Sequence, residues 1–403
     1  MPPQNPKKPA ILYFGNDWFA ENRTSSHHIA TNLAQQYSVY YFECPGLRAP
    51  KGSARDCKKI WAKVGKFFRG AQSVEEGLKV RTLLQIPLHR FAIVRKLNFL
   101  LMWLTVRWLI WREGIQQRIS WYMVPHPAPL AGHLGEDLVV YYCIDDYAAL
   151  PDVNVAAVTA MDESLTRKAD IVFVASSTLL ESKQRLNSNT HLSPHGVDVE
   201  HFARAQDRSI GAPEEFKSLS KPIIGFFGLI ERWIDLDLVA YLAEQRPAWS
   251  FVMIGRVAVP SEDVPNLPNL HFLGKRPYGD LPRYGSQFDA AIIPYRLTQQ
   301  VLHANPLKLR EYLAMGKPIV SVSTPEIDDF ADVVRIARTR EEFLAELDAT
   351  LAAPDRPVDI QRRLNFVSAS SWENRVHEVM DTVLEELEKS ETKPHRELTT
   401  VGS

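Results

Sequence analysis

Short runs of β-branched and aromatic residues alternate with longer stretches in which apolar residues recur every three or four positions. Ile11–Phe14, Ser38–Phe42, Ile119–Val124, Leu138–Ile144, Ile171–Ala175 and His191–Pro194 read as strands, with helical patterns over Ser25–Gln36 and Val155–Lys168. Residues 203–221 are polar and contain Gly211, Ala212 and Pro213, the composition of a linker. The alternation then resumes with strands at Ile223–Phe227, Ser250–Ile254, Leu270–Leu273, Ala290–Ile293 and Pro318–Val322, and helices starting near Asp235, Pro282 and Pro306. Strands apolar on both faces belong to sheets covered on both sides, as parallel sheets are. The expected fold class is therefore α/β: two doubly wound, Rossmann-like domains facing a central cleft, with ligands at the carboxyl ends of strands. The expected boundaries are 1–202 for the first domain, 203–221 for the linker and 222–370 for the second domain. Ser370–Glu373 has capping-box spacing, and Val376, Val379, Met380, Val383, Leu384 and Leu387 follow at helical spacing. A terminal helix over 371–388 and a flexible tail over 389–403 complete the expectation.

Composition narrows the class. The chain of 403 residues is 45% hydrophobic and 24% charged, which excludes wholesale disorder. Cys44, Cys57 and Cys143 form no C-x-x-C pair, which excludes a disulfide scaffold and a thiolate zinc site. The first residues lead directly into a strand without a signal-like apolar segment, so a cytoplasmic protein is expected. Net charge is −1, but residues 48–118 carry 16 basic and 4 acidic residues, +12 in one stretch. A local anionic partner is implied. Residues 92–114 within it are apolar nearly all round, yet the longest uncharged run, Leu97–Val106, is half of what a membrane span needs. Two readings stay open: a buried helix of the first domain, or an interfacial contact with an anionic membrane surface. In the second, Trp103, Trp108 and Trp111 suit the headgroup region, and Lys58, Lys59, Lys63, Lys66 and Arg69 meet anionic lipid. No nucleic-acid motif accompanies the charge, so a nucleic-acid partner is not expected.

The richest segment for chemistry is Pro294–Ser321: a strand, a loop, a helix started by Pro306 and ended by Gly316, and another strand. Backbone N–H groups at that helix start favour an anion, and Lys308 adds a point charge. Glu311 lies one turn on, so an ammonium and a carboxylate share a face.

This segment resembles the nucleotide-sugar glycosyltransferases of the GT-B fold, of the group 1 type. The resemblance implies that Glu311 holds the donor ribose and that Lys308, with backbone amides around Asn305, holds the pyrophosphate. Ser193–Phe202 is similar to the "NGVD…F" segment of that family. Ile223–Gly228, Phe251–Gly255 and Leu273–Pro282 are similar to successive landmarks of its second domain. Val140–Asp146 resembles the strand end of a bacterial subgroup that builds teichuronic acid and exopolysaccharides. Gly228, with Arg232 as the nearest substitute for the family's basic residues, is implied in donor binding. His303 stands where many retaining members carry a further Glu, a departure that fits the exopolysaccharide subgroup, in which some members invert.

Asp145 and Asp146 end a strand pointing at the expected cleft. Either would serve as the base that takes an acceptor hydroxyl's proton; capping of the next turn is the plain alternative. Arg23 and His27 lie where a helix opens after the first strand, with Thr24 or Ser25 as its cap, and are candidates for donor phosphate or acceptor. His126 follows a strand and is a further candidate for phosphate or acceptor, and His195 lies in a loop near the domain boundary; both are weighed against structural roles. Asp235 and Asp237 spell D-x-D, but at a helix start, where acidic residues suit the dipole, and no metal site is expected. No cofactor is expected beyond the nucleoside-diphosphate sugar as co-substrate, since positive groups would stabilise the departing diphosphate.

The resulting expectation is a hexosyltransferase-like enzyme of bacterial cell-envelope polysaccharide synthesis, peripheral to the inner face of the plasma membrane. It moves a sugar from a nucleoside-diphosphate donor to a saccharide or polyprenyl-linked acceptor. A sugar-nucleotide epimerase on the same fold and a degenerate scaffold subunit of an assembly complex remain the alternatives.

Overall fold

The computed structural model describes residues 8–20, 23–44, 70–86, 92–207, 209–352 and 355–391. Lys58, Lys59, Lys63, Lys66, Arg69 and Cys57 lie outside the described residues, as does the tail beyond residue 391. The chain divides into two compact units, Met1–Pro194 with Val376–Ser403, and His195–Arg375.

The first unit is built on an eight-stranded sheet. Its strands are β1 (Ala10–Gly15), β2 (Val39–Glu43), β3 (Gln72–Glu75), β4 (Leu78–Thr82), β5 (Arg118–Tyr122), β6 (Leu138–Cys143), β7 (Ile171–Val174) and β8 (Thr190–Leu192). They lie in the order β3-β4-β2-β1-β5-β6-β7-β8, parallel except for the β3–β4 hairpin. Aromatic residues explain the register. Tyr13 sits opposite both Tyr41 and Trp121, and the rings of Tyr41, Tyr13, Trp121 and Tyr142 form a row with neighbouring centroids 5.0–6.3 Å apart. On the other face Phe14 stacks between Phe42 and Tyr122. Cross-strand pairs of this kind contribute roughly 0.2–1 kcal/mol each, and a slip of one residue would exchange the two faces.

The second unit carries six parallel strands: β9 (Ile223–Phe227), β10 (Ser250–Ile254), β11 (Leu270–Gly274), β12 (Ala290–Ile293), β13 (Ile319–Val322) and β14 (Arg335–Ala337). Their order, β11-β10-β9-β12-β13-β14, reverses direction between β9 and β12. In the first unit the same reversal falls between β1 and β5. Ligands of open parallel sheets bind outside the carboxyl ends of strands at such points.

The expected strands are all present, with three differences. The β3–β4 hairpin lies inside the basic stretch, and β14 is only three residues long. The boundary falls at Pro194/His195, earlier than residue 202, and residues 203–221 do not form a free linker. Phe202, Ala205 and Phe216 are buried in the core of the second unit, while Arg276 binds Glu215 at 2.7 Å and Arg283 donates to the Gly211 carbonyl. A polar-looking segment is thus anchored by two aromatic side chains. The terminal helix runs over Trp372–Glu391 and is capped by Ser371, whose Oγ accepts the Asn374 N–H, not by Ser370. From Val376 on it belongs to the first unit, where Val376, Val379, Met380, Val383 and Leu387 are buried.

Candidate functional site

In the second unit the residues expected at the donor site gather at the sheet's reversal point. The helix Leu307–Ala314 comes after β12 and the short helix Gln299–His303, and begins one residue later than expected, with Pro306 as its cap. It buries Leu309, Tyr312 and Leu313 against the sheet. Tyr312 Oη accepts the Phe227 N–H at 2.9 Å, fixing the helix to the end of β9. Lys308 lies beside this junction: its Nζ sits 5.0 Å from the centre of the Phe227 ring and donates to Glu311 at 2.7 Å. The Glu311 side chain is 10% exposed and that of Lys308 22%. Burial and the Glu311 charge together push Tyr295 above the usual tyrosine range.

Gly228, directly after β9, has φ of 153°, a conformation that side chains disfavour, and a Cβ there would stand 3.1 Å from Lys308 Cε. Gly255, at the end of β10, has φ of 146°, and its Cβ would fall 1.7 Å from the Gly228 carbonyl oxygen. Backbone must approach backbone here, which only glycine permits. Arg232 is exposed in the loop after Gly228, and the structure brings no contact between it and Lys308 or Glu311.

Asn305 is buried, and its role is positioning. Its Oδ1 accepts from Arg310 Nη1 at 2.5 Å and from the His195 N–H at 3.4 Å, while its Nδ2 donates to Glu326. Arg310 and Glu326 are themselves buried and were not singled out from the sequence. Arg310 follows Leu309 and precedes Glu311 in what reads as an ordinary amphipathic helix; only the Asn305–Pro306 start hinted at a network beneath it. His195 is held by this network and by the Trp372 ring, a structural setting. Asp235 caps the helix Leu236–Gln245 by accepting the Leu238 N–H at 3.1 Å, and Arg296 pairs with both Asp235 and Asp237. The D-x-D spelling is thus a cap with an ion pair.

In the first unit the candidates sit on three different strand-end loops. Asp145 and Asp146 follow β6 and are half-buried. Asp146 Oδ1 accepts the Ala148 N–H at 3.2 Å, the turn-capping contact. Behind them lies the buried Lys183–Asp162 pair, with Tyr141 Oη donating to Asp162 at 2.5 Å. Burial alone would lower Lys183, but Cys143, Asp162 and Asp146 outweigh it and hold its ammonium above the usual lysine value. Burial pushes the Cys143 thiol up to about 12, so it is no nucleophile.

His27 belongs to the capping of its own helix. It is buried on the third position of Ser25–Ala34, its Nδ1 accepts the Thr24 N–H at 3.0 Å, and Nε2 lies 3.2 Å from the carbonyls of Asp17 and Trp18. This is the neutral tautomer with the proton on Nε2, and burial holds its pKa below the usual value. Its expected contact with donor phosphate or acceptor is corrected: both ring nitrogens are already engaged within the fold. Arg23 is exposed and pairs with Glu75 at 3.6 Å. His126 is half-buried in the loop after β5. Glu43, at the end of β2, was missed: it is buried, takes the Trp18 N–H at 2.9 Å and the Thr82 hydroxyl at 2.5 Å, and so fixes the loop after β1. Its signal was a carboxylate closing an otherwise apolar strand.

Residues 221–353, most of the second unit, match the family described as glycosyl transferases group 1. The Bacillus subtilis (strain 168) protein named as the teichuronic acid biosynthesis glycosyltransferase TuaH is 27% identical over 343 residues, covering 78% of this chain and 80% of that one. Among solved structures, sucrose-phosphate synthase from Thermosynechococcus elongatus superposes with a TM-score of 0.68 at 14% identity, over 95% of this chain and 100% of that one. A trehalose-6-phosphate structure from E. coli bound with UDP-2-fluoro glucose gives 0.66 at 13% identity, over 96% and 100%. Anabaena Alr3699/HepE in complex with UDP and glucose gives 0.63 at 12% identity, over 93% and 99%. Two parallel-sheet units in this order give the chain the GT-B fold of these structures, and its second unit matches the family of glycosyl transferases group 1.

Proposed function

We propose that the enzyme transfers a sugar from a nucleoside-diphosphate donor to a saccharide or lipid-linked acceptor in surface polysaccharide synthesis. The observation that carries this reading is the Lys308–Glu311 pair, nearly buried beside Gly228 at the reversal point of the second sheet. A carboxylate held on a helix face suits the two vicinal hydroxyls of a ribose. An ammonium one turn nearer the helix N-terminus, where backbone N–H groups converge, suits a diphosphate. UDP in two structural neighbours and the teichuronic acid name of the B. subtilis relative support the donor class and the polysaccharide setting.

In the proposed reaction the acceptor oxygen attacks the anomeric carbon, the bond from that carbon to the diphosphate oxygen breaks, and the diphosphate leaves with the electron pair. Lys308 stabilises the charge that develops on it. Asp145 or Asp146 takes the acceptor proton. Calorimetric titration with a panel of nucleoside diphosphates tests the donor half. Glu311→Ala and Lys308→Ala are each expected to lose about 10–150-fold in affinity, the range for a charged hydrogen bond. Unchanged affinity in both variants overturns the assignment. For the acceptor half, Asp145→Asn or Asp146→Asn is expected to lower turnover by about 100-fold or more with donor affinity intact. Products formed without acceptor would favour the epimerase reading.

A further inference from the structure

The helix Ala92–Glu113 leaves one apolar face exposed among the described residues. Met102, Val106, Leu109 and Ile110 are buried against the first unit. Ile93, Leu97, Leu100, Leu104, Trp108 and Trp111 are exposed, with Ile93 and Trp111 each at 78%. Their steps of four, three, four, four and three residues place them on one stripe, running the length of a helix about 33 Å long. Scattered surface hydrophobics need no explanation, but a continuous stripe of six large ones does.

The flanks of the stripe are cationic. Lys96 and Arg107 lie along one side, and Arg112 lies along the other, over the Trp108 ring at 5.1 Å. Arg81 reaches the same ring from β4 at 4.8 Å. The helix has one carboxylate, Glu113, which is half-buried and neutralised by Lys79 at 2.5 Å. The neighbouring sequence 48–69 adds eight basic residues against one acidic. No described helix is long and apolar enough to cross a membrane. An apolar face carrying Trp and Leu, bordered by Lys and Arg, is the pattern of a helix lying in the plane of a bilayer interface. A second protein copy would bring the same cations against themselves, whereas an anionic surface complements them.

We infer that the stripe Ile93–Trp111 is a docking surface for an anionic lipid bilayer, with the helix lying in the headgroup region and the first unit seated on it. The inference goes beyond the donor reading and does not depend on it, since lipid binding is read without nucleotide. The test is flotation of the full chain with phosphatidylglycerol-containing vesicles and with pure phosphatidylcholine vesicles, at low and high salt. Wild type is expected to float with the anionic vesicles at low salt. Leu100→Glu with Leu104→Glu is expected to lower the partition coefficient by about tenfold or more, with an unchanged thermal transition because both positions face outward. Lys96→Glu with Arg112→Glu is expected to lose most of the preference for anionic over neutral vesicles, at roughly fivefold per charge. A blue shift of tryptophan emission on vesicle addition, reduced in Trp111→Phe, reads the same contact without a charge change. The inference is overturned if wild type ignores anionic vesicles. It is equally overturned if the leucine variant binds as well as wild type, or if that variant instead converts a lipid-indifferent dimer to monomers.

Discussion

Two helices break the rule that polar residues face out and apolar residues face in, and they break it in opposite directions. The helix Leu307–Ala314 buries Arg310 and Glu311, at 5% and 8% exposure. The helix Ala92–Glu113 exposes Ile93 and Trp111. In the first, every buried charge has a partner: Lys308 for Glu311, Asn305 for Arg310, and Glu326 beyond it. Unpaired burial is costly, so such a network persists where rigid charge placement is needed. In the second, the exposed face has cations along its borders and no cover among the described residues. A buried polar network marks a site that must be preorganised for a small ligand. An exposed apolar stripe marks a surface that awaits a large one.

The largest effect should come from removing a buried partner. Arg310→Met is expected to destabilise the second unit by about 3 kcal/mol, because it takes the charged donor away from the buried Asn305 Oδ1 and the positive charge out of the network that holds Glu326. Chemical denaturation reads this directly; a change under the experimental error would mean that water replaces the arginine. Next, Lys308→Met, of similar length, is expected to cost about 1–3 kcal/mol of stability, because Glu311 is left without its partner, and to lower the nucleoside-diphosphate affinity of the folded protein by about tenfold or more. A loss of stability with unchanged affinity would show that Lys308 braces the fold and does not serve the ligand. A third test uses the buried His27. Its folded pKa is depressed, so its contribution to stability is present above the unfolded value near 6.5 and is lost as pH falls through the folded value. His27→Gln, which can still accept at the helix cap, should cost about 1 kcal/mol at neutral pH and show a smaller acid loss below pH ~6.5. Parallel thermal melts of the two proteins across that range decide it. The smallest effect belongs to the exposed stripe: Leu104→Glu should change stability by no more than about 0.5 kcal/mol. A loss of several kcal/mol would show that this face is covered in solution.

Much of this contrast was legible in the sequence, and the rest was hidden for identifiable reasons. Runs such as Leu138–Cys143 and Ile223–Phe227 announce strands because both of their faces are buried. Gln72–Glu75 does not, because an edge strand half open to water carries no apolar run. Residues 203–221 look like a tether because only Ile210, Phe216 and Leu219 within them are strongly apolar, and pattern alone does not show where one aromatic inserts. Lys308 and Glu311 were visible as a spaced pair near a proline-started helix. Arg310 and Glu326 were not, since a charge reads as surface until its partner is known to lie beneath the same helix. Likewise, the apolar residues of 92–113 were plain, but which of them face inward is settled only by the packing of Met102, Val106 and Leu109.

The route of the chain has a consequence for how the protein is made. Residues Val376–Glu391 complete the unit that begins at the first strand, with His195–Arg375 folded as an insertion before them. During synthesis the inserted unit is complete before these residues emerge, whereas the first-formed sheet must wait for its final helix. Domains generally fold as units in order of emergence. Here the order is inverted: the later unit can reach its finished core first, and the earlier one remains exposed to aggregation until the last helix closes over it.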